Sequence, residues 1–169
     1  VALYNAGVKI ICVDVAHGHH VLMRHALEVL RNTLGTQVTI IAGNVATLQA
    51  FNDLSDWGAD AVRVGIGGGS ICSTRIQTGH GVPTLQSVLD CAASDRPAKL
   101  IADGGIKNSG DIVKAYAAGA DFVMLGSMLA GTTETPGDIR YKQFPGQCNP
   151  SKIKVYRGMA SEDAQKDWR

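Results

Sequence analysis

No two of the four cysteines in this chain form a CxxC pair; they stand far apart, at positions 12, 72, 91 and 148. That spacing argues against a zinc site or a disulfide framework and fits a reducing, cytoplasmic setting. An excess of one charge is also missing. Sixteen Lys and Arg face fifteen Asp and Glu, for a formal net charge of +1, with acids and bases interspersed. Without a basic stripe, nucleic acid is not an expected partner. No apolar run approaches the roughly 20 residues needed to cross a bilayer, so no membrane role is expected. The opening Val1-Ala2-Leu3-Tyr4-Asn5 has no initiator Met and no charged segment leading into an apolar one, so it does not read as a signal peptide.

What is present is a rhythm. Short, nearly all-apolar runs recur at Val8–Val13, Val38–Ala42, Ala61–Val64, Lys99–Ala102 and Phe122–Leu125. Runs of this kind suit parallel strands covered on both faces. Helical patterns lie between them. One spans 20–34, a second follows Thr47 to Trp57, a third covers about 84–93, and a fourth is capped by Ser109 and continues to Ala118. Ala6-Gly7-Val8, Trp57-Gly58-Ala59-Asp60 and Ala118-Gly119-Ala120-Asp121 each stop a helix with glycine before a strand begins. The chain therefore reads as one α/β domain of five consecutive βα units. Five parallel strands do not close a barrel of eight. Two architectures remain open: a doubly wound sheet, or a partial (β/α)8 TIM barrel holding about the last five units. The missing Met and the uncapped start favour the barrel fragment over 1–169, truncated at both ends. Residues 131–169 form its C-terminal rim-loop segment, with loops expected at Thr132–Gly137 and Phe144–Lys152, where Pro136, Pro145 and Pro150 interrupt the chain.

The candidate chemistry follows the strands. Asp14, Gly43-Asn44, the loop Gly65–Arg75, Asp103-Gly104-Gly105 and Gly126-Ser127 each come directly after an apolar run. In a (β/α)8 barrel these loops share one rim, where function concentrates. The loop Gly65-Ile66-Gly67-Gly68-Gly69-Ser70-Ile71-Cys72 lets backbone N–H groups approach an anion and presents a thiol among polarising donors. The plain alternative is a flexible turn with an incidental cysteine. Gly104-Gly105 and Gly126-Ser127 occupy the positions at which many barrels bind phosphate. Asp14 suits acceptance of hydrogen bonds from ligand hydroxyls. His17, His19 and His20 have a spacing compatible with metal, but no acid or cysteine nearby completes a set. His80, between Gly79 and Gly81, is a candidate acid or base, although a loop histidine is more often simply solvated. Cys12 and Cys91 read as small core residues, Cys148 as a loop thiol.

Four stretches carry a resemblance: GIGGGSICSTR at 65–75, IADGGI at 101–106, VMLGSMLAG at 123–131 and KVYRGM at 154–159. In order and spacing, over nearly the whole chain, they are similar to the catalytic barrel of the IMP dehydrogenase/GMP reductase family. The resemblance implies that Cys72 is the nucleophile that attacks purine C2 and that Thr74 aids the proton transfers. It implies nucleotide contacts from Ser70, Asp103, Gly104, Gly105, Gly126, Ser127, Tyr156, Gly158 and Met159. Asp14, Asn44, Arg63 and Gly65 fall at positions toward the nicotinamide cofactor, NAD or NADP. Carbonyls of Gly67, Gly69 and Cys72 match a monovalent-cation site, with K+ the expected ion. A homotetramer is implied as well.

Two reactions are implied. The first reading is IMP dehydrogenase, which takes IMP to XMP through a cysteine thioimidate. The alternative is GMP reductase, which takes GMP to IMP with release of ammonia. Val15 after Asp14 and Ala160 after Met159 lean to the reductase; Ile71, Gly81-Val82-Pro83 and Val155–Gly158 lean to the dehydrogenase. A flavin-type or non-catalytic phosphate-binding barrel would explain the glycines but leave Cys72 idle. The residues that usually separate the two directions would lie beyond Arg169, and these 169 residues alone are expected to be poorly active.

Overall fold

The computed structural model describes residues 1–158 and 161–167. A single helical turn, α1 (Ala2–Asn5), precedes β1 (Ile10–Asp14), α2 (Val21–Leu34), β2 (Thr39–Val45), α3 (Leu48–Asp56) and β3 (Ala61–Val64). Two helices follow, α4 (Thr74–Thr78) and α5 (Thr84–Cys91), then β4 (Lys99–Asp103), α6 (Ser109–Ala117), β5 (Phe122–Met124) and α7 (Ser127–Ala130). The five strands form one sheet in the order β1-β2-β3-β4-β5, and every neighbouring pair is parallel. A doubly wound sheet reverses its strand order at a switch point. Here the strands add in chain order, and right-handed crossovers then place all the helices on one face. The sheet is an arc of a (β/α)8 barrel.

Strand alternation sorts the side chains onto the two faces. Ile40, Ala42, Val62, Val64, Leu100 and Ala102 pack into one buried cluster with Leu27, Phe51, Leu54 and Val88 from the helices. The register places Cys12, Asp14, Ile41, Arg63, Ile101, Asp103 and Phe122 on the opposite face. That face is partly open: Ile10 is 61% exposed and Phe122 54%. The apolar runs led to an expectation of cover on both sides, whereas the described residues supply helices to one side only. Cys12 is corrected for the same reason. It lies in an apolar run but on the open face, and is exposed.

Local devices agree with the sequence closely. Thr47 Oγ1 accepts the Ala50 N–H at 3.3 Å and starts α3. The start of α6 differs by one residue: Asn108, with extended backbone, accepts the Asp111 N–H at 3.0 Å, and Ser109 is already helical. The repeated Gly-Ala-Asp turns do more than stop helices. Asp60 Oδ2 accepts the Ile40 N–H at 2.7 Å, and Asp121 Oδ2 accepts the Leu100 N–H at 2.8 Å. Each carboxylate thus ties the start of its own strand to the preceding one.

The tail is more ordered than its prolines imply. β6 (Arg140–Lys142) and β7 (Ser151–Ile153) pair as an antiparallel ribbon, and α8 (Glu162–Asp167) follows. Three-residue strands with charged, largely exposed side chains carry too little alternation to stand out in a sequence.

Candidate active site

All five strands point their C-terminal ends at one rim, and the loops leaving them build the site. Its centre is a charge in an apolar strand. Arg63, in the middle of β3, has only 14% of its side chain exposed. Its Nη1 meets Asp14 Oδ2 at 2.8 Å, and its Nη2 and Nε donate to Asp103 Oδ2 at 2.7 and 3.2 Å. Burial opposes a guanidinium charge, but the hydrogen bonds and charges of Asp14 and Asp103 outweigh it, and Arg63 titrates above its ordinary value. Asn44 Nδ2 donates to the same Asp103 oxygen at 2.7 Å and to the Gly65 carbonyl at 2.7 Å. Its own Oδ1 is buried without a protein partner. The ends of β1 to β4 are therefore locked by one polar network.

The glycine loop lies against this network, and the packing demands glycine at two points. Gly65 has φ +138°, and a Cβ there would stand 2.0 Å from the Asp103 carbonyl oxygen. Gly104 has φ +102°, and a Cβ there would stand 2.8 Å from Gly68 backbone. The loops after β3 and β4 thus meet backbone to backbone. Beyond that contact the chain turns, with the Cys72 N–H donating to the Gly69 carbonyl at 3.1 Å. The thiol is exposed and donates to Thr74 Oγ1 at 3.2 Å.

Two cavities adjoin here. One, of about 500 Å³, is lined by Asp14, Val15, Asn44, Gly65, Gly67, Cys72 and Thr74. The other, of about 520 Å³, is lined by Ser70, Gly104, Gly105, Gly126, Ser127, Tyr156 and Gly158. Arg63, Gly69 and Asp103 form the wall common to both. Every described residue that the resemblance implies lines one cavity or the other; Met159 and Ala160 lie outside the described residues. Ser70 Oγ and the Tyr156 hydroxyl are 2.6 Å apart, which joins the glycine loop to the C-terminal segment across the second cavity.

Three of the five histidines, His19, His20 and His80, have structural partners. His19 Nε2 meets Asp53 at 2.8 Å and its ring stacks on Trp57, and His20 Nδ1 accepts the Leu22 N–H at the start of α2. His80 is exposed, with its ring on the Thr78 carbonyl. Among the described residues, no group of three His, Cys, Asp or Glu side chains could hold a metal ion. Lys154 is a supporting residue that the sequence reading missed. Its Nζ donates to the carbonyls of Thr132, at 2.7 Å, and of Thr133 and Thr135, and so anchors the segment that delivers Tyr156. A lysine beside Val155-Tyr156 gives no sequence signal of three carbonyl partners in a turn some twenty residues earlier.

Over residues 1–169 the chain matches the model of the IMP dehydrogenase / GMP reductase domain. The chain belongs to the IMP dehydrogenase/GMP reductase family. Relatives of both names lie at similar distance. A GMP reductase of Leishmania major is 52% identical over 162 residues, covering 94% of this chain and 32% of the relative. An inosine-5'-monophosphate dehydrogenase of Halalkalibacterium halodurans is 52% identical over 162 residues, covering 95% and 32%. Among solved structures, a cysteine-to-alanine variant of Trypanosoma brucei GMP reductase, in complex with guanosine 5'-monophosphate, superposes with a TM-score of 0.89. Identity is 47%, and the match covers 97% of this chain and 34% of that one. An inosine 5' monophosphate dehydrogenase from Legionella pneumophila superposes with a TM-score of 0.82 at 52% identity, covering 99% and 49%. The chain spans about a third of the length of the curated family members it matches, with 32% of each covered. That third holds the thiol loop, the Gly104-Gly105 and Gly126-Ser127 turns and the central arginine.

Proposed function

We propose that this chain carries the nucleotide-handling rim of a purine nucleotide oxidoreductase that works in the reductase direction, from GMP to IMP. The observation that carries the proposal is the exposed Cys72 thiol, held by Thr74 in a cavity that adjoins a second one lined by the Gly104-Gly105 and Gly126-Ser127 turns. A 5′-phosphate in the second cavity would meet the Gly104-Gly105 and Gly126-Ser127 turns, with Ser70 and Tyr156 across from them. Asp103, on the shared wall, is placed to accept from ribose hydroxyls. The base then reaches toward the thiol.

The chemistry balances. Cys72 sulfur adds to C2 of GMP, the C2–N2 bond breaks, and the thiol proton leaves with the amine as ammonia, giving a thioimidate. NADPH, when bound against Asp14 in the first cavity, supplies the hydride that reduces C2. The C2–S bond then breaks, IMP departs, and the sulfur regains a proton; Thr74 Oγ1 is the group within hydrogen-bond reach to pass it. The exposed Asp14 carboxylate on the wall of the first cavity suits a dinucleotide hydroxyl. The Gly67, Gly69 and Cys72 carbonyls are neutral oxygen donors, a set suited to a monovalent cation. Gly69 keeps a lone pair after accepting the Cys72 amide. Homotetrameric assembly and a cytoplasmic setting belong to the same proposal.

The reductase direction is supported by Val15, an aliphatic side chain lining the cofactor-side cavity where the dehydrogenase pattern has a hydroxyl. Ala160 after Met159, where the dehydrogenase pattern has glycine, points the same way. The second reading, IMP dehydrogenase, uses the same cysteine adduct, hydrolysed to XMP after hydride passes to NAD. It draws on Ile71, Gly81-Val82-Pro83 and the 52% identity to the Halalkalibacterium halodurans enzyme. Replacing the matched third of the Leishmania major GMP reductase, and in parallel that of the Halalkalibacterium halodurans dehydrogenase, with residues 1–169 separates the two, because each host supplies the flanking residues of one direction. The proposal expects GMP-dependent loss of NADPH absorbance. IMP-dependent formation of NADH, without the former, would reverse the direction.

A further inference from the structure

Arg75 is the one charged side chain of the glycine-loop motif that the chemistry above does not use. It sits in the first turn of α4, three residues after Cys72, yet it is not among the residues lining the thiol's cavity. Its guanidinium instead reaches back under the loop. Nε donates to the Ile66 carbonyl at 3.0 Å and Nη2 to the Val82 carbonyl at 2.7 Å. Its aliphatic stem runs between two glycines. A Cβ at Gly67 would stand 2.7 Å from Arg75 Cγ, and a Cβ at Gly81 would stand 2.8 Å from the same atom.

These contacts close a ring. The segment from Ile66 to Arg75 leaves β3, carries Ser70, Cys72 and Thr74, and returns, and one side chain ties its two ends together. The same side chain ties both ends to the connector before α5. Inside the ring two short contacts set the sulfur: the Cys72 N–H on the Gly69 carbonyl and the thiol on Thr74 Oγ1. Both lie between the two ends that Arg75 ties together. A planar fork is required, because two carbonyls from different segments must be met at once; an ammonium on a lysine stem offers a point charge in place of that fork.

We infer that Arg75 is a positioning residue for Cys72: it fixes the glycine loop from behind so that the thiol is held against Thr74 and faces the cavity. This rests on Cys72 being the nucleophile, but its test needs no turnover. In the native 169-residue chain, amide hydrogen exchange of residues 67–72 and the pH–rate profile of Cys72 alkylation by iodoacetamide are measured. The variants are wild type, Arg75→Ala, Arg75→Lys, Thr74→Val and the double variant Arg75→Ala/Thr74→Val. Loop amides should exchange about tenfold faster in Arg75→Ala while β3 and β4 amides hold their rates. The alkylation profile should move the same way in Arg75→Ala and Thr74→Val, with no further movement in the double variant, because both lose one arrangement. Arg75→Lys should fall between Ala and wild type; if Arg75→Ala does not fold, the lysine variant and Gly81→Ala, which pushes on the stem from the far side, carry the same comparison. A loop and profile unchanged in these variants, or effects of residues 74 and 75 that simply add, would overturn the assignment. Failure of the chimera to turn over GMP would bear on the function and leave this result standing.

Discussion

Arg63 sets the tone at the scale of single residues. A cation in the middle of an otherwise apolar strand is visible in the sequence as Ala61-Val62-Arg63-Val64, and its presence alone indicates a partner of opposite charge. Which carboxylates serve could not be read, because Asp14 and Asp103 lie forty or more residues away on either side and only the strand register brings them together. Removing the arginine strands Asp103 largely buried beside Asn44. Arg63→Ala should therefore cost about 3 kcal/mol of folding stability, read from urea denaturation. A loss no larger than that of an ordinary surface substitution would show that the network does not hold the rim together.

The cysteines give a second prediction at this scale. Burial, with a contribution from Asp90, pushes the Cys91 thiol up to about 12, so it stays protonated at any ordinary working pH. Cys12, Cys72 and Cys148 are exposed. Iodoacetamide at about pH 8 should label those three in the native chain and reach Cys91 only when the fold opens, as mass spectrometry of the labelled peptides would show. Native labelling of Cys91 at a comparable rate would contradict the packing between α5 and the sheet. Here the sequence was half legible: an apolar neighbourhood marks a buried thiol only when both faces of its element are covered, and at Cys12 one face is not.

At the scale of elements, patterning located the strands and the longer helices because each carries several turns or alternations of signal. Caps resolved less finely. Asn108 and Ser109 are both good cap residues, and the extended backbone of Asn108 decides between them. Asn108→Ala should cost about 1 kcal/mol, and Ser109→Ala only a few tenths, by the same denaturation measurement. A larger loss from Ser109→Ala would move the cap.

The Gly-Ala-Asp turns carry a pH dependence. At Asp121 burial disfavours the charge, but the Leu100 amide and Lys99 outweigh it and hold the carboxyl below its ordinary value. A carboxyl lowered by folding binds its proton more readily in the unfolded chain. Its stabilisation is therefore complete above the ordinary carboxylate range and is lost as pH falls through the lowered value. Asp121→Asn should lower stability near neutrality, where the contribution is complete, and converge on the wild type below about pH 4, so that part of the acid loss is flattened. An acid limb identical to that of the wild type would remove Asp121 from the account. The echo of these turns was legible as a helix stop; the bond from each carboxylate to the neighbouring strand was not, since it needs the register.

At the scale of the molecule, the count of five βα units and the shared rim followed from chain order, and the strand order β1-β2-β3-β4-β5 decides for the barrel arc. The open face of the sheet was not legible, because an apolar strand looks the same whether its second face meets helices or the far wall of a barrel. The candidate site, in contrast, gathers where the sequence placed it: two cavities share one wall, with a thiol on one side and glycine-bearing turns on the other. The measurement that bears most directly on this arrangement is protection of Cys72 from iodoacetamide in the native chain by GMP, with guanosine as the control lacking the phosphate. The account predicts that GMP slows labelling of Cys72 about tenfold, leaves Cys148 unchanged, and that guanosine protects far less. Labelling of Cys72 that ignores GMP, or that guanosine blocks equally well, would contradict a thiol aimed at a nucleotide whose phosphate is held next door.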